Sequence, residues 1–186
     1  MRTNLNTKKE IVKTRDACER MWSIVFPDKA HKFYPIEGKD DKASKAFDAA
    51  GIDWVYDGPD GLIGISQRTQ YMPRGIPPYN TFSVRFSRVS GYDTEWQKRV
   101  YALVSDADLL KPSVTVQSFF SEDGSRLLSM GRIMTRDLIA SLMAGQPMRY
   151  YTNPQDRTKF VAPSWRKLKS DGYPVKVWTP PLALAA

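Results

Sequence analysis

Around Gly58-Pro59-Asp60-Gly61 the chain is close to mirror-symmetric in polarity, and this restricts its fold more than any other segment. Residues 52–57 and 62–71 read as strands, and Pro at the second position with Gly at the fourth is a type I turn signature. Pairing about Pro59-Asp60 makes partner numbers sum to 119, which opposes Tyr56 to Ile63, Trp54 to Ile65 and Asp53 to Ser66. Side chains alternate along a strand, so Ile52, Trp54, Tyr56, Ile63 and Ile65 share one face while Asp53, Ser66, Arg68 and Gln70 share the other. A bulge at Gly61 slips the pairing by one residue, places Gln67 opposite Asp53 and mixes the faces. The clean division of polarity favours the symmetric register. Opposed Cβ atoms then lie roughly 4.5–5.5 Å apart, and a diagonal arginine at position 68 has the length to approach Asp53.

The rest of the chain supplies elements to cover this hairpin. From residue 7 to 26, Ile11, Cys18, Met21, Trp22, Val25 and Phe26 recur at helical spacing, which predicts an amphipathic helix stopped by Pro27. Residues 28–42 read as a loop and 43–50 as a short helix. Phe82, Val84 and Phe86 alternate with polar residues in a strand over 80–88. Thr94 and Gln97 form a capping box for a helix through Arg99, followed by strands over 100–104 and 113–120. Asp123-Gly124 marks a turn, 135–144 a helix ending at Gly145, and 148–152 with 158–162 a hairpin around 153–156. A basic helix over 164–170 closes near Gly172, and the tail 179–186 is expected to fray. The expected architecture is α/β: a central mixed sheet of four or five strands flanked by helices. Residues 1–145 form its core, and 146–186 form a basic hairpin-plus-helix extension packed on the same domain.

Composition excludes several chemistries. One cysteine, Cys18, forms no internal disulfide, and one histidine, His31, leaves no set for a structural zinc site or a Ser-His-Asp triad. No apolar run approaches the roughly 20 residues that a bilayer requires, and the first residues lack the apolar stretch of a secretory signal. A cytoplasmic protein without a membrane partner is expected. Lys and Arg number 28 against 20 Asp and Glu, a net charge of +8. The excess is uneven, +3 over residues 1–50, zero over 51–145 and +5 over 146–186. Basic segments framing a neutral middle suit a phosphate-backbone binder, and equally a solubilising surface.

Gly51-Ile52-Asp53, the turn, and then Ile65-Ser66-Gln67-Arg68 resemble the core of the PD-(D/E)XK nuclease superfamily, particularly its Mrr-like and Holliday-junction-resolvase-like branches. Members carry an Asp at the start of one strand, a Glu, Asp or Gln two residues before a Lys on the next, and often a Glu from a preceding helix. The order is similar here: a helix bearing Glu19, then Asp53, the polar pair, a strand, and a helix bearing Glu95 and Lys98. The resemblance spans residues 7–120. It implies a restriction-endonuclease-like fold and Mg²⁺- or Mn²⁺-dependent hydrolysis of DNA phosphodiesters, with Asp53 and Glu19 as metal ligands. Ser66 or Gln67 would contribute an oxygen, and Arg68 would contact the scissile phosphate. A compact phage or mobile-element protein fits this description, and a homodimer is one assembly open to it.

The chemistry has its own requirements. Mg²⁺ prefers hard oxygen ligands, so a carboxylate belongs at position 66, where a neutral hydroxyl binds weakly; Arg68 stays protonated and serves as a phosphate clamp rather than a base. The departure from the pattern leaves a second reading open: a catalytically inactive protein of the same fold that binds nucleic acid, or that inhibits a host enzyme through an acidic protein surface. Plainer roles also stand. Asp53 and Arg68 form a cross-strand ion pair contributing about 0–1 kcal/mol, Glu19 lies on a solvated helix face, and Glu95 is a first-turn carboxylate with Lys98 its exposed neighbour. Trp22, Trp54 and Phe82 belong to the core, and Cys18 is a small buried hydrophobe. Tyr71, Tyr79, Tyr150 and Tyr151 are the stacking candidates. Arg157, Lys159, Arg166, Lys167 and Lys169 form the densest positive cluster, a phosphate-facing patch or a solvated end.

Overall fold

A computed structural model describes residues 4–36, 41–87, 94–104, 111–145, 150–153 and 157–180. Helix α1 (Asn4–Val25) lays Ala17, Cys18, Met21 and Trp22 on one buried stripe and ends before Pro27. A 3₁₀ turn (Pro27–Lys32) leads into strand β1 (Phe33–Pro35). Helix α2 (Lys42–Ala49) begins where the Asp41 carboxylate accepts the Ser44 N–H at 2.8 Å, filling an otherwise orphaned N-terminal donor. Strands β2 (Trp54–Gly58) and β3 (Gly61–Met72) form the hairpin in the symmetric register, with Trp54 opposite Ile65, Tyr56 opposite Ile63 and Gly58 opposite Gly61.

Strand β4 (Val84–Ser87) and helix α3 (Glu95–Val104) follow. The capping box forms as its residues require: Thr94 N–H donates to Gln97 Oε1 at 2.8 Å, and Gln97 N–H to Thr94 Oγ1 at 3.3 Å. Strands β5 (Val114–Ser121) and β6 (Leu127–Met134), helix α4 (Thr135–Met143), strands β7 (Tyr150–Thr152) and β8 (Lys159–Val161), helix α5 (Trp165–Ser170) and strand β9 (Lys176–Trp178) complete the order.

Six strands form the central mixed sheet, in the order β1-β2-β3-β5-β6-β9, and β4-β8-β7 form a smaller sheet. Only β3 and β5 pair in parallel among the described strands. Parallel neighbours need a crossover, which β4 and α3 provide. One face of the sheet packs on α1 through Trp54, Ile65, Val116, Phe120 and Met130. Trp22 stacks on Phe33 at 4.2 Å and meets Trp54 edge-on at 6.0 Å, which fixes α1 against β1 and β2. The other face packs Met72, Phe119 and Ile133 against Phe82, Val84 and Val161, with α4 and α5. Gly131 is required there, because a Cβ on it would lie 2.4 Å from Trp165 Cε2. Among the described residues no helix is long and apolar enough to cross a membrane.

Several expectations are corrected. Residues 100–104 are helical, since the capping box at Thr94 starts a helix that short apolar runs cannot be told apart from a strand to oppose. Residues 33–35 are a strand rather than loop, because their pairing with β2 is non-local, with Phe33 opposite Tyr56. The strand over 80–88 shrinks to β4, and Thr81 makes an isolated bridge to Ser164. Strands β6 and β9 had no expectation, and they bring the central sheet to six strands rather than four or five. The hairpin near 150–161 forms, though its start at Met148, its turn residues 154–156, position 88 of the shortened strand and the tail 181–186 lie outside the described residues. Residues 150–153 and 157–178 supply strands to both sheets and bury Trp165, Leu168 and Val175 in the main core.

Candidate functional site

Asp53 sits immediately before β2 and is fixed through three groups. Its backbone N–H donates to Ile65 O at 2.9 Å, its carbonyl accepts from Ile36 N–H at 2.9 Å, and its carboxylate accepts from Gln67 N–H at 2.6 Å. The Ile65 bond is one residue off the register of the hairpin, so the ladder ends irregularly and the aspartate side chain takes over a main-chain donor. Ser66 is buried on the face that α3 covers. There Arg99 Nη2 donates to Ser66 Oγ at 2.6 Å.

Arg99 is 4% exposed, and among the described residues its buried Nη1 meets no acceptor. Burial pushes its pKa down to about 10, against the attraction of the Asp53 carboxylate. The guanidinium still carries its charge at neutral pH. The capping box predicts a helix through Arg99 without giving that residue a role; the signal for one is the stripe Trp96, Arg99, Val100 at i, i+3, i+4, which turns Arg99 inward together with two apolar neighbours.

Arg68 lies half-buried on the same face of β3 as Ser66, with its guanidinium carbon 5.7 Å from the centre of the Phe160 ring. Arg85 from β4 stands 5.8 Å from the same ring. Gln117, beside Arg68 on β5, is buried and accepts the Ser83 N–H at 3.2 Å, tying the two sheets together. The Gln67 side chain goes to the opposite face, under α1, where Nε2 donates to Ser118 Oγ at 2.8 Å. Thr69 Oγ1 and Cys18 Sγ, 3.3 Å apart, continue this polar patch. Gln67 therefore serves Asp53 through its main chain alone among these contacts.

Glu19 is on the exposed side of α1, 3.7 Å from Arg15 Nε, and the neighbouring Arg20 donates to Gly124 O at 2.9 Å in the β5–β6 turn. The structure thus brings Asp53, Ser66 and the Gln67 main chain together, adds Arg99, and sends Glu19 to solvent. Arg157, Lys159, Arg166, Lys167 and Lys169 are all exposed, Arg157 with a left-handed φ of +58° and Lys167 in an ion pair with Asp171. The side chain of Glu95 lies outside the described residues.

The donor set can be compared with what Mg²⁺ or Mn²⁺ needs, hard oxygens including one or two carboxylates. Among the described residues no three His, Cys, Asp or Glu side chains converge. Asp53 is a single carboxylate already holding an N–H, and the Ser66 hydroxyl accepts from a guanidinium, whose charge repels a divalent ion. These described residues do not fit such a metal. No protein-family model, curated protein or solved structure matches the chain, so the likeness to nucleases rests on residues and element order alone.

Proposed function

We propose that the protein binds the phosphodiester backbone of DNA, on an α/β scaffold whose element order resembles that of nucleases. The observation that carries this reading is the cation at the site: Arg99, buried beside Asp53 and bonded to Ser66, stands where a metal-dependent nuclease needs a second anionic ligand. Arg99 is a fixed charge on the Ser66 face of β3, and Arg68 on that same face and Arg85 on β4 are half-buried guanidinium groups suited to bidentate contact with phosphate oxygens. The basic C-terminal surface, from Arg157 to Lys169, extends the positive field in which a polyanion is captured.

Metal-dependent hydrolysis, which the resemblance implies, is kept as an outcome of the test, because the Asp53 carboxylate already holds the Gln67 N–H and Ser66 accepts from a cation. Fluorescence anisotropy with labelled DNA between about 50 and 200 mM salt tests the first reading. Affinity should fall steeply with salt, and Arg68→Ala should lower the salt slope by about one counterion. Absence of DNA binding at the lowest salt overturns it in favour of an acidic protein partner. Plasmid nicking that appears with Mg²⁺ or Mn²⁺ and disappears in Asp53→Ala overturns it in favour of hydrolysis.

A further inference from the structure

Strand register places three side chains in a single row on the small sheet: Arg85 of β4 opposite Phe160 of β8, and Phe160 opposite Tyr151 of β7. Directly opposed residues project from the same face. Arg68, from the central sheet, approaches the same Phe160 ring that Arg85 approaches, so two guanidinium groups stand about one aromatic ring at 5.7 and 5.8 Å. At the outer end of the row Tyr151 is 48% exposed.

The opposite face of this sheet is buried only at its valines, and its rings are partly exposed. Val84 and Val161 are buried in the core, and Tyr150, in register with Val161, meets Phe86 edge-on at 5.9 Å, while Phe86 lies 5.7 Å from Trp96 of α3. Consecutive tyrosines therefore have different surroundings. Tyr150 belongs to a chain of rings, and Tyr151 to a row that ends in arginines.

In a duplex the flat faces of the bases are stacked on one another and unavailable to protein rings. A sheet that offers aromatic faces beside guanidinium groups suits unpaired nucleotides, whose bases stack on rings while their phosphates meet the cations. Strands lie 4.7–4.9 Å apart, so the row from Arg85 to Tyr151 runs roughly 10 Å. That is the reach of about three stacked nucleotides at 3.4 Å each. The charge is complementary as well, since Arg85 and Arg68 flank the row and residues 146–186 carry a net +5.

We infer that Tyr151, Phe160 and Arg85, faced by Arg68, form a seat for unpaired nucleotides, so that the protein prefers a single polynucleotide strand to a duplex. This rests on the phosphodiester-binding reading above and adds the class of nucleic acid to it.

The test measures anisotropy of a labelled oligothymidylate of 20 nucleotides and of a 20-base-pair duplex at one salt concentration, with the wild-type chain, Tyr151→Ala and Tyr151→Phe. The expected result is a single-strand affinity at least about tenfold above that of the duplex. Tyr151→Ala should weaken single-strand binding by about 5- to 100-fold, the range of one lost base–aromatic stack. Its duplex affinity should stay within about twofold, and Tyr151→Phe, which keeps the ring, should bind the single strand like the wild type. Circular dichroism melts check that both variants remain folded, as expected for an exposed position on an outer strand. Equal or tighter duplex binding overturns the inference, as does a folded Tyr151→Ala that binds the single strand normally, or a Tyr151→Phe as weak as the alanine variant. Failure to bind either DNA overturns instead the underlying phosphodiester reading.

Discussion

Replacing Arg99 by methionine separates a charge held for binding from a charge held for stability. The residue is 4% exposed, and burial lowers its pKa from the usual guanidinium range to about 10 even with Asp53 attracting it. At 1.36 kcal/mol for each pH unit, keeping this guanidinium charged inside the fold costs about 3 kcal/mol relative to the unfolded chain. Methionine has a similar unbranched reach and no charge, so its introduction relieves that penalty. Against the gain stands the loss of the 2.6 Å bond to Ser66 Oγ, about 1–2 kcal/mol including the hydroxyl left without its donor. Asp53 is only half-buried and keeps the Gln67 N–H, which spares the variant the larger penalty of a fully stranded buried carboxylate.

The net expectation is a stabilisation of about 1–2 kcal/mol at pH 7, read by calorimetry as a Tm about 2–8 °C higher for a chain of this size. The sign has a pH signature. From about pH 10 up to the ordinary guanidinium range the unfolded wild-type chain binds more protons at this residue than the folded one, so this residue's contribution raises wild-type stability with pH and the advantage of methionine shrinks. DNA affinity should meanwhile drop about three- to tenfold, because the fixed charge behind Ser66 is gone. A Tm more than about 5 °C below wild type would refute the reasoning and make Arg99 a structural member of the sheet–helix contact.

Gly131→Ala should lower the Tm by several degrees, corresponding to about 1–3 kcal/mol of overpacking. Trp165, whose ring atoms lie 2.4–2.9 Å from the new Cβ, is held between Phe82 and Phe119 at 5.8 and 5.7 Å and has little room to retreat; an unchanged melt would contradict this. Thr94→Ala removes the acceptor of the Gln97 N–H and should cost about 1 kcal/mol by urea denaturation, with Thr94→Ser retaining most of it. Hydrogen bonds from Ser121 and Ser125 hold the Asp123 carboxyl well below the usual carboxylate range, so its contribution is present above that range and is lost as pH falls through it. Asp123→Asn should therefore flatten the acid limb of a Tm-against-pH profile below about pH 4, and an identical limb would argue against those bonds.

What was legible in the chain is the local part of its architecture. The hairpin register follows from the two-residue alternation on either side of Pro59-Asp60, and the α3 start follows from the Thr94–Gln97 exchange, because each depends on residues within a few positions of one another. Strands β1 and β9 have no such local source. Each is three residues long and exists because an existing strand offers its open edge, β2 to one and β6 to the other. Likewise Val100–Val104 alternates no more clearly as a strand than it stripes as a helix, and only the cap upstream decides between them.

The site divides along the same line. Asp53, just before β2, and Ser66 and Arg68 on β3 belong to one hairpin, so their neighbourhood can be read from pairing alone, but the cation that bonds Ser66 and feels the Asp53 charge comes from 33 residues beyond Ser66. It reaches them because β3 and β5 run parallel, which obliges the intervening chain to cross over the sheet and lays α3 on the face that carries Ser66. The rotation of that helix then decides the chemistry. Trp96 and Val100 pack into the core, and Arg99, between them on the same stripe, is carried inward with them. Had the helix been turned to expose Arg99, Asp53 would have faced Ser66 with no fixed cation between strand and helix, and a divalent ion would have met one less repulsive charge. With Arg99 in place the Asp53 carboxylate has a buried cation acting on it, and Arg68, two residues beyond Ser66, stands over Phe160.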